Sequence, residues 1–181
     1  MRALLLALTL LSLAPASSAW AQDNPRPAGK AGPAARPATD PVVEFSRDDP
    51  ELKAAIKAAR DTLPIFWTLF DTDPVVKTSG IVKMAFPIRG GGSEHMWLRN
   101  LERKNGAIYG TLDNYPAADV GVREGDRVKI DPALITDWSY VRAGRMYGGY
   151  TTRAMLKQAP PEIAEGLLRV LSDRPLEGND I

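Results

Sequence analysis

The fold is decided by residues 125–156, GDRVKIDPALITDWSYVRAGRMYGGYTTRAML, which contain three of the five tyrosines of the chain. Residues 127–130 and 135–141 are short, rich in β-branched and aromatic side chains, and separated by an Asp-Pro pair, which predicts two strands. Alternation along the second strand puts Trp138 and Tyr140 on the same face. The stretch therefore predicts a sheet with large aromatic rings on one face.

Glycines shape the second half of this stretch. Gly144 lies in a predicted turn. The adjacent Gly148 and Gly149 predict a bulge or a close approach of two backbones, because glycine lacks a Cβ. Residues 151–156 fit either a last strand or the start of a helix, which ends before Pro160.

Three more strands are predicted before this stretch, at residues 82–86, 94–102 and 107–112, each with alternating apolar residues. A run of glycines at residues 90–92 joins the first two strands, and Asn105-Gly106, which tolerates positive φ angles, joins the next two. This order predicts an antiparallel meander.

An amphipathic helix precedes the strands, with Ser46 as its predicted N-cap. Its apolar stripe consists of Leu52, Ala55, Ile56, Ala59 and Leu63. Pro64 has no N–H and predicts a kink or break, after which a short helical segment continues the stripe. The core residues of that segment are Phe66, Trp67 and Phe70. A C-terminal helix is predicted over residues 161–172.

Together these elements predict an α+β fold. An N-terminal helix kinked at Pro64 packs on a curved antiparallel sheet of about five or six strands, with a C-terminal helix against the sheet or a neighbour. Short strands joined by tight turns tend to curl, so an SH3-like barrel is one form open to this sheet.

The N-terminus has the pattern of a secretory signal peptide over residues 1–21. Arg2 precedes an apolar run at residues 4–13, which is too short to span a bilayer as a helix. Ala-Trp-Ala, ending at Ala21, is the predicted cleavage pattern, so the mature chain is expected to begin at Gln22. This pattern predicts a periplasmic or secreted protein.

The rest of the chain divides by composition. Residues 22–43 are rich in Pro and Ala and predict a disordered linker. The α+β domain is expected over residues 44–158, followed by the C-terminal helix and a tail over residues 159–181.

Charge and cysteine content exclude several classes of site and partner. The chain has 23 Lys and Arg against 22 Asp and Glu, and loss of Arg2 with the signal peptide makes the two equal. Without a basic field, neither a nucleic acid nor an anionic membrane is expected as a partner. The chain has no cysteine, which excludes disulfides, thiolate metal sites and a lipoprotein anchor. No transmembrane span is expected after the signal peptide.

Several segments, in this order and spacing, resemble the YegJ-like family of uncharacterised bacterial domains. They are DPELKAAIKAARDTLPIF (49–66), EHMWL (94–98), GTLDNYP (110–116), GDRV (125–128), ITDWSY (135–140) and GRMYGGYTTR (144–153). The resemblance covers about residues 48–156. It implies no established activity, so it transfers no catalytic residues.

His95, the single histidine, is the first candidate for chemistry. Adjacent Glu94 would point to the opposite face of the strand, and no spacing of carboxylates completes a metal site. His95 can be combined with Asp137 and either Ser93 or Ser139 as a triad, but no Gly-x-Ser-x-Gly elbow accompanies them. We therefore predict no catalytic residue, metal or cofactor.

Aromatic and arginine side chains are the remaining signal, and they predict either packed core or a binding groove. The predicted binding residues are His95, Trp97, Trp138, Tyr140, Arg145, Tyr150 and Arg153. The leading hypothesis is an exported, non-enzymatic binding module with a protein or envelope partner, for example of the immunity type. Two alternatives stay open: a hydrolase that uses His95 with an acidic residue, and a structural or oligomerisation domain.

The processing site is testable directly. N-terminal peptide sequencing of the exported protein by mass spectrometry should begin at Gln22, because signal peptidase cleaves after small residues in this pattern. A chain that retains Met1 would refute the predicted cleavage.

Overall fold

The computed structural model of the chain describes residues 49–178, apart from the side chains of residues 162 and 163. The predicted signal peptide and linker, and the end of the predicted tail, lie outside this range. The helices are α1 (Pro50–Thr72), α2 (Pro74–Ser79), α3 (Tyr150–Leu156) and α4 (Pro161–Val170). The strands are β1 (Ile81–Pro87), β2 (Ser93–Lys104), β3 (Ala107–Leu112), β4 (Arg127–Ile130), β5 (Ile135–Arg142) and β6 (Arg145–Gly148). Between residues 49 and 178, no helix has the length and apolar character that crossing a membrane requires.

Helix α1 begins three residues later than its predicted N-cap implies. The carboxylate of Asp49 accepts hydrogen bonds from the N–H groups of Glu51 (2.8 Å) and Leu52 (3.1 Å) and is therefore the N-cap. The assignment of Ser46, which lies outside the described residues, to that position is wrong. The carboxylate of Asp49 satisfies N–H groups that would otherwise have no partner in the helix.

The same helix continues through Pro64 to Thr72, so the predicted segment after the proline is part of α1. Pro64 removes one helical hydrogen bond. Phe66 and Phe70, both 0% exposed, lie on either side of the following turn, and their burial offsets that loss. The prediction that these aromatic residues are core is confirmed.

The six strands form one curved antiparallel sheet in the order β4-β3-β2-β1-β5-β6. The turn at Asn105-Gly106 joins β2 to β3 as predicted. In the described part of the chain β4 and β6 are the two edges and do not pair with each other, so the sheet stays open and forms no SH3-like barrel. The α+β prediction is confirmed.

The core lies between α1 and the sheet, with Trp138 at its centre. The indole ring of Trp138 stacks on Phe66 at a centroid distance of 5.3 Å and on Tyr140 at 6.1 Å. Its Nε1–H donates a hydrogen bond to the carbonyl oxygen of Ala59 at 3.0 Å. Strand β5 is therefore fixed to α1 by both packing and a buried hydrogen bond.

The C-terminal region covers the outer edge of β6. Residues 151–156 belong to α3, which settles the alternative between strand and helix. After α4, the N–H of Ser172 donates to the carbonyl of Met146 at 3.0 Å, and the N–H of Gly148 donates to the carbonyl of Pro175 at 2.7 Å. These bonds occupy backbone groups that an edge strand otherwise exposes.

Gly148 is the glycine on which this arrangement depends most. Its φ is +71°, and a Cβ at this position would lie 2.2 Å from the carbonyl oxygen of Trp138 and 2.6 Å from its ring. The predicted close backbone approach at Gly148 is confirmed.

We expect Gly148→Ala to lower the free energy of unfolding by about 3–5 kcal/mol, because it adds a steric clash with buried atoms to the strain of a positive φ. Gly144→Ala is the matched control: its φ is +74°, but a Cβ there meets nothing within 4 Å. Gly144→Ala should lower the free energy of unfolding by about 1–2 kcal/mol. Urea unfolding followed by circular dichroism measures both, and equal losses would contradict the clash.

Candidate functional site

The seven predicted binding residues do not form one surface. Trp138 and Tyr140 are each 0% exposed and face α1 in the core. They are therefore unable to contact a partner in this conformation, and the prediction that they belong to a binding surface is wrong. Strand alternation predicted their common face correctly, but it could not tell which face the helix covers.

Arg153 binds the C-terminal region to β6. Its guanidinium donates to the carbonyl oxygens of Gly148 (2.8 Å), Ser172 (2.8 Å) and Met146 (3.3 Å), and to the hydroxyl of Ser172 (2.9 Å). These bonds attach the chain after α4 to β6. Because the donors are used within the protein, Arg153 fits a structural role.

Arg145 lies beside the same region. It donates to the carbonyl of Arg169 at 2.9 Å and pairs with the exposed Asp173 at 3.3 Å. It lines an open cavity of about 540 Å³ together with Tyr147 and residues 172–174. Arg145 therefore remains partly accessible, but it does not lie next to His95 or Trp97.

Tyr150 is half-buried beside the core. Its ring meets Trp138 edge-on at a centroid distance of 5.7 Å, and burial raises the pKa of its phenol above the usual 10.0, which the hydrogen bond with Thr62 partly counteracts. Its backbone N–H donates to Asp137 at 3.1 Å. Tyr150 therefore holds α3 against α1 and β5.

A buried polar cluster of Lys83, Asp137 and Thr151 lies where β1, β5 and α3 meet. The Nζ of Lys83 donates to the hydroxyl of Thr151 at 2.9 Å, and that hydroxyl donates to Oδ2 of Asp137 at 2.6 Å. Lys83 and Asp137 face each other across adjacent strands. The charges are therefore linked through one hydroxyl group.

Asp137 also caps α3 from outside the helix. Gly149, at the N-cap position, has no side chain to accept the first N–H groups. The carboxylate of Asp137 accepts them instead, from Tyr150 at 3.1 Å and Thr151 at 2.8 Å. An anion at the helix N-terminus is also favoured by the helix dipole.

Burial shifts the pKa values of both charged groups in this cluster. Desolvation raises the pKa of Asp137 above its usual value, and the nearby Lys83 and the hydrogen bonds from Thr151 and Trp138 counteract this only in part. Desolvation likewise lowers the pKa of Lys83, and the charge of Asp137 opposes it. Each group therefore depends on the other to remain charged in the interior.

Sequence reasoning missed Lys83. It alternates with Val82 and Met84, a pattern that assigns it to a solvent face, yet it is only 7% exposed. Its partner Asp137 lies on β5, which is adjacent to β1 in the sheet but distant in sequence. Only that long-range pairing reveals the cluster.

Trp97 and His95 lie next to the buried cluster on the exposed side of β2. Nζ of Lys83 lies 4.5 Å from the centroid of the half-buried Trp97 ring, a cation–π contact. The ring nitrogens of His95 meet the hydroxyls of Thr136 (Nδ1, 3.2 Å) and Ser93 (Nε2, 3.5 Å). Trp97 thus covers the lysine, and His95 adjoins it.

Ser93 contacts His95, but within residues 49–178 no carboxylate bonds to the ring to complete the acid–base arrangements proposed for it. Glu94 accepts the N–H groups of Ala117 and Ala118, and Asp137 caps α3. Ser139 donates to the carbonyl of Tyr147. Both ring nitrogens of His95 meet hydroxyls rather than a carboxylate, so this geometry does not favour the hydrolase alternative.

Beyond Trp97, the sheet face opposite α1 carries arginine and tyrosine side chains. We call it the outer face; its residues are His95, Trp97, Arg99, Tyr109, Thr111 and Arg127. Arg99 pairs with Asp113 at 2.5 Å. Arg127 pairs with Glu102 and lies 5.7 Å from the centroid of the Tyr109 ring. This face can therefore contact a partner through aromatic rings and through hydrogen-bond donors.

No group of three or more His, Asp or Glu residues in the described range is arranged to hold a metal ion.

The environment of His95 makes a testable prediction. Partial burial, and then the charges of Lys83 and Arg60, lower the pKa of His95 below 6.5. Because the chain has one histidine, its ring protons give that pKa directly in a ¹H NMR titration. Arg60→Met should move the midpoint toward 6.5, whereas Lys57→Met, one turn earlier on the exposed side of α1, should not.

The same shift sets the sign of the pH dependence. A folded-state pKa below 6.5 means that the unfolded chain binds the proton more strongly. The His95 contribution to stability is therefore complete above 6.5 and is lost as the pH falls through the folded-state pKa. A midpoint at or above 6.5 in the wild type would contradict this environment.

Residues 49–165 match a family described as an uncharacterized protein conserved in bacteria (DUF2314). The chain is 32% identical over 130 residues to the uncharacterized protein YegJ of Escherichia coli, covering 71% of this chain and 82% of that protein. It is 29% identical over 131 residues to a putative ankyrin repeat protein of Neisseria meningitidis, covering 68% of this chain and 52% of that protein. No solved structure matches the chain. The predicted YegJ-like resemblance is thus confirmed, and the chain belongs to this uncharacterized bacterial family.

Proposed function

We propose that the protein is an exported, non-enzymatic binding module that contacts a partner protein in the periplasm or outside the cell through the outer face of its sheet. The observation that carries the proposal is the position of Trp97. Its half-buried ring lies on an exposed sheet face and contacts Nζ of Lys83 on the adjacent strand. On its own strand, His95 and Arg99 lie on either side of it.

A rigid aromatic residue of this kind suits recognition of a protein. Its orientation is already set, so little conformational entropy is lost when a partner covers it. Trp, Tyr and Arg are the side chains most enriched among residues that dominate binding energy. Arg99 and Arg127 form a row with Thr111 between them, because these residues are paired across β2, β3 and β4.

The Neisseria relative supports a binding role. It is named as a putative ankyrin repeat protein, and the present chain corresponds to about half of its length, 52%. Ankyrin repeats build extended surfaces that bind other molecules. A domain that occurs in such a protein is consistent with a function in protein interaction.

Two features support the proposed compartment. Residues 1–21 have the charged, apolar and small-residue segments of a signal peptide in the correct order. The chain also lacks cysteine, so export into an oxidising compartment exposes it to no disulfide mispairing.

The proposal predicts a partner whose capture depends on Trp97. Affinity capture from a cross-linked envelope fraction should recover a protein with the wild type, and purified partner should then bind Trp97→Ala about thirtyfold more weakly, since a dominant interface residue contributes about 2 kcal/mol or more. Arg99→Ala should also weaken binding, and it leaves the contact between Lys83 and Trp97 in place.

Lys57→Ala, on the exposed side of α1, is the control and should bind as the wild type does. Circular dichroism spectra of all variants must agree. If every captured protein binds Trp97→Ala and Arg99→Ala with unchanged affinity, the outer face is not the site. If the wild type captures only itself, the oligomerisation alternative replaces the proposal.

A further inference from the structure

A second concave surface lies next to the β2–β3 hairpin, toward the β4 edge of the sheet. We call it the hairpin groove; it has a volume of about 530 Å³ and is lined by residues that include Asp71, Lys104, Ile108, Lys129, Ile130 and Pro132. Its volume falls within the range of about 300–1,000 Å³ that is typical of binding pockets. Lys104 and Lys129 project on the side of the sheet that carries the outer face, and Ile108 projects on the side of α1.

The charges around the hairpin groove are unbalanced. Arg103 and Asp71 pair with each other, and the guanidinium of Arg103 also lies 5.4 Å from the centroid of the Trp67 ring. Lys104 and Lys129 are exposed, and among residues 49–178 neither has an ion-pair partner. Within the described residues, the groove therefore has two uncompensated positive charges at its rim.

The apolar part of the lining is smaller. Ile108 is half-buried and pairs with Ile130, which is only 1% exposed and belongs to the core. The exposed Pro132 is the second residue after the end of β4. A ligand that fits both parts needs carboxylates on one side and apolar groups on the other. A chain with alternating acidic and apolar residues has this arrangement when it is extended, because successive side chains point to opposite sides.

The backbone next to the groove suits an extended chain as well. Within residues 49–178, β4 pairs with β3 alone and is an edge of the sheet. Edge strands bind extended peptides through their free N–H and C=O groups. Charged residues such as Lys129 on an edge strand also act against aggregation, and that is the competing explanation for the lysines.

We propose that the hairpin groove binds an extended peptide segment of a partner protein in which acidic and apolar residues alternate. The carboxylates contact Lys104 and Lys129, and the apolar side chains contact Ile108 and Pro132. The hairpin groove contains none of the six residues that define the outer face, so the peptide site can fail without affecting the function proposed above.

The test uses a fluorescein-labelled peptide of alternating Glu and Val, with a Lys-Val peptide of equal length as the probe of opposite charge. The full chain should bind the Glu-Val peptide in fluorescence anisotropy, with an affinity that falls as salt is added. Lys104→Glu/Lys129→Glu should weaken binding at least about tenfold, because attraction becomes repulsion at two positions.

Lys57→Glu/Lys157→Glu is the control, since it makes the same change in net charge away from the groove and should bind like the wild type. Trp97→Ala should also bind the peptide normally. Amide shifts of Asn105, Gly106 and Ile108 in NMR spectra should change on binding. The proposal is overturned if the Lys-Val peptide binds equally well, if both double variants lose the same affinity, or if no binding occurs and the lysines serve only to protect the edge.

Discussion

The hydrogen bond from the indole Nε1 of Trp138 to the carbonyl of Ala59 joins the sheet to the long helix at a fully buried point. A buried N–H without a partner is costly, so α1 must keep the carbonyl of Ala59 within hydrogen-bond distance of Trp138 on β5. Phe66 stacks on the same ring, and Gly148 is held against its edge. The placement of α1, β5 and β6 thus depends on one side chain.

This constraint also decides which residues remain for function. With Trp138 turned to the core, its neighbour Asp137 points to the opposite side, where it caps α3 and faces Lys83. Residues that suggested chemistry therefore stabilise the structure. Among the predicted binding residues, His95 and Trp97 on β2 and Arg145 on β6 remain accessible. The arginines of the outer face lie on the same side of the sheet as the first two.

Local signals predicted local structure well. The bounds of β3 and β4 agree with the prediction, because a tight turn or an Asp-Pro pair limits each strand. Long-range relations were not predictable: the burial of Lys83 follows from the pairing of β1 with β5, and the burial of Tyr140 follows from the position of α1. The helix start was misplaced because Ser46 and Asp49 both have side chains suited to an N-cap, and the sequence alone does not rank them.

The two edges of the sheet differ in a way that affects assembly. Residues 171–175 occupy the outer side of β6, held there by Arg153, whereas β4 has no such cover in the described part of the chain. A sheet with one closed edge cannot be extended at both ends. With residues 49–178 arranged in this way, edge-to-edge pairing between copies can join β4 only to β4, which gives a closed pair with twofold symmetry and no route to a growing fibre.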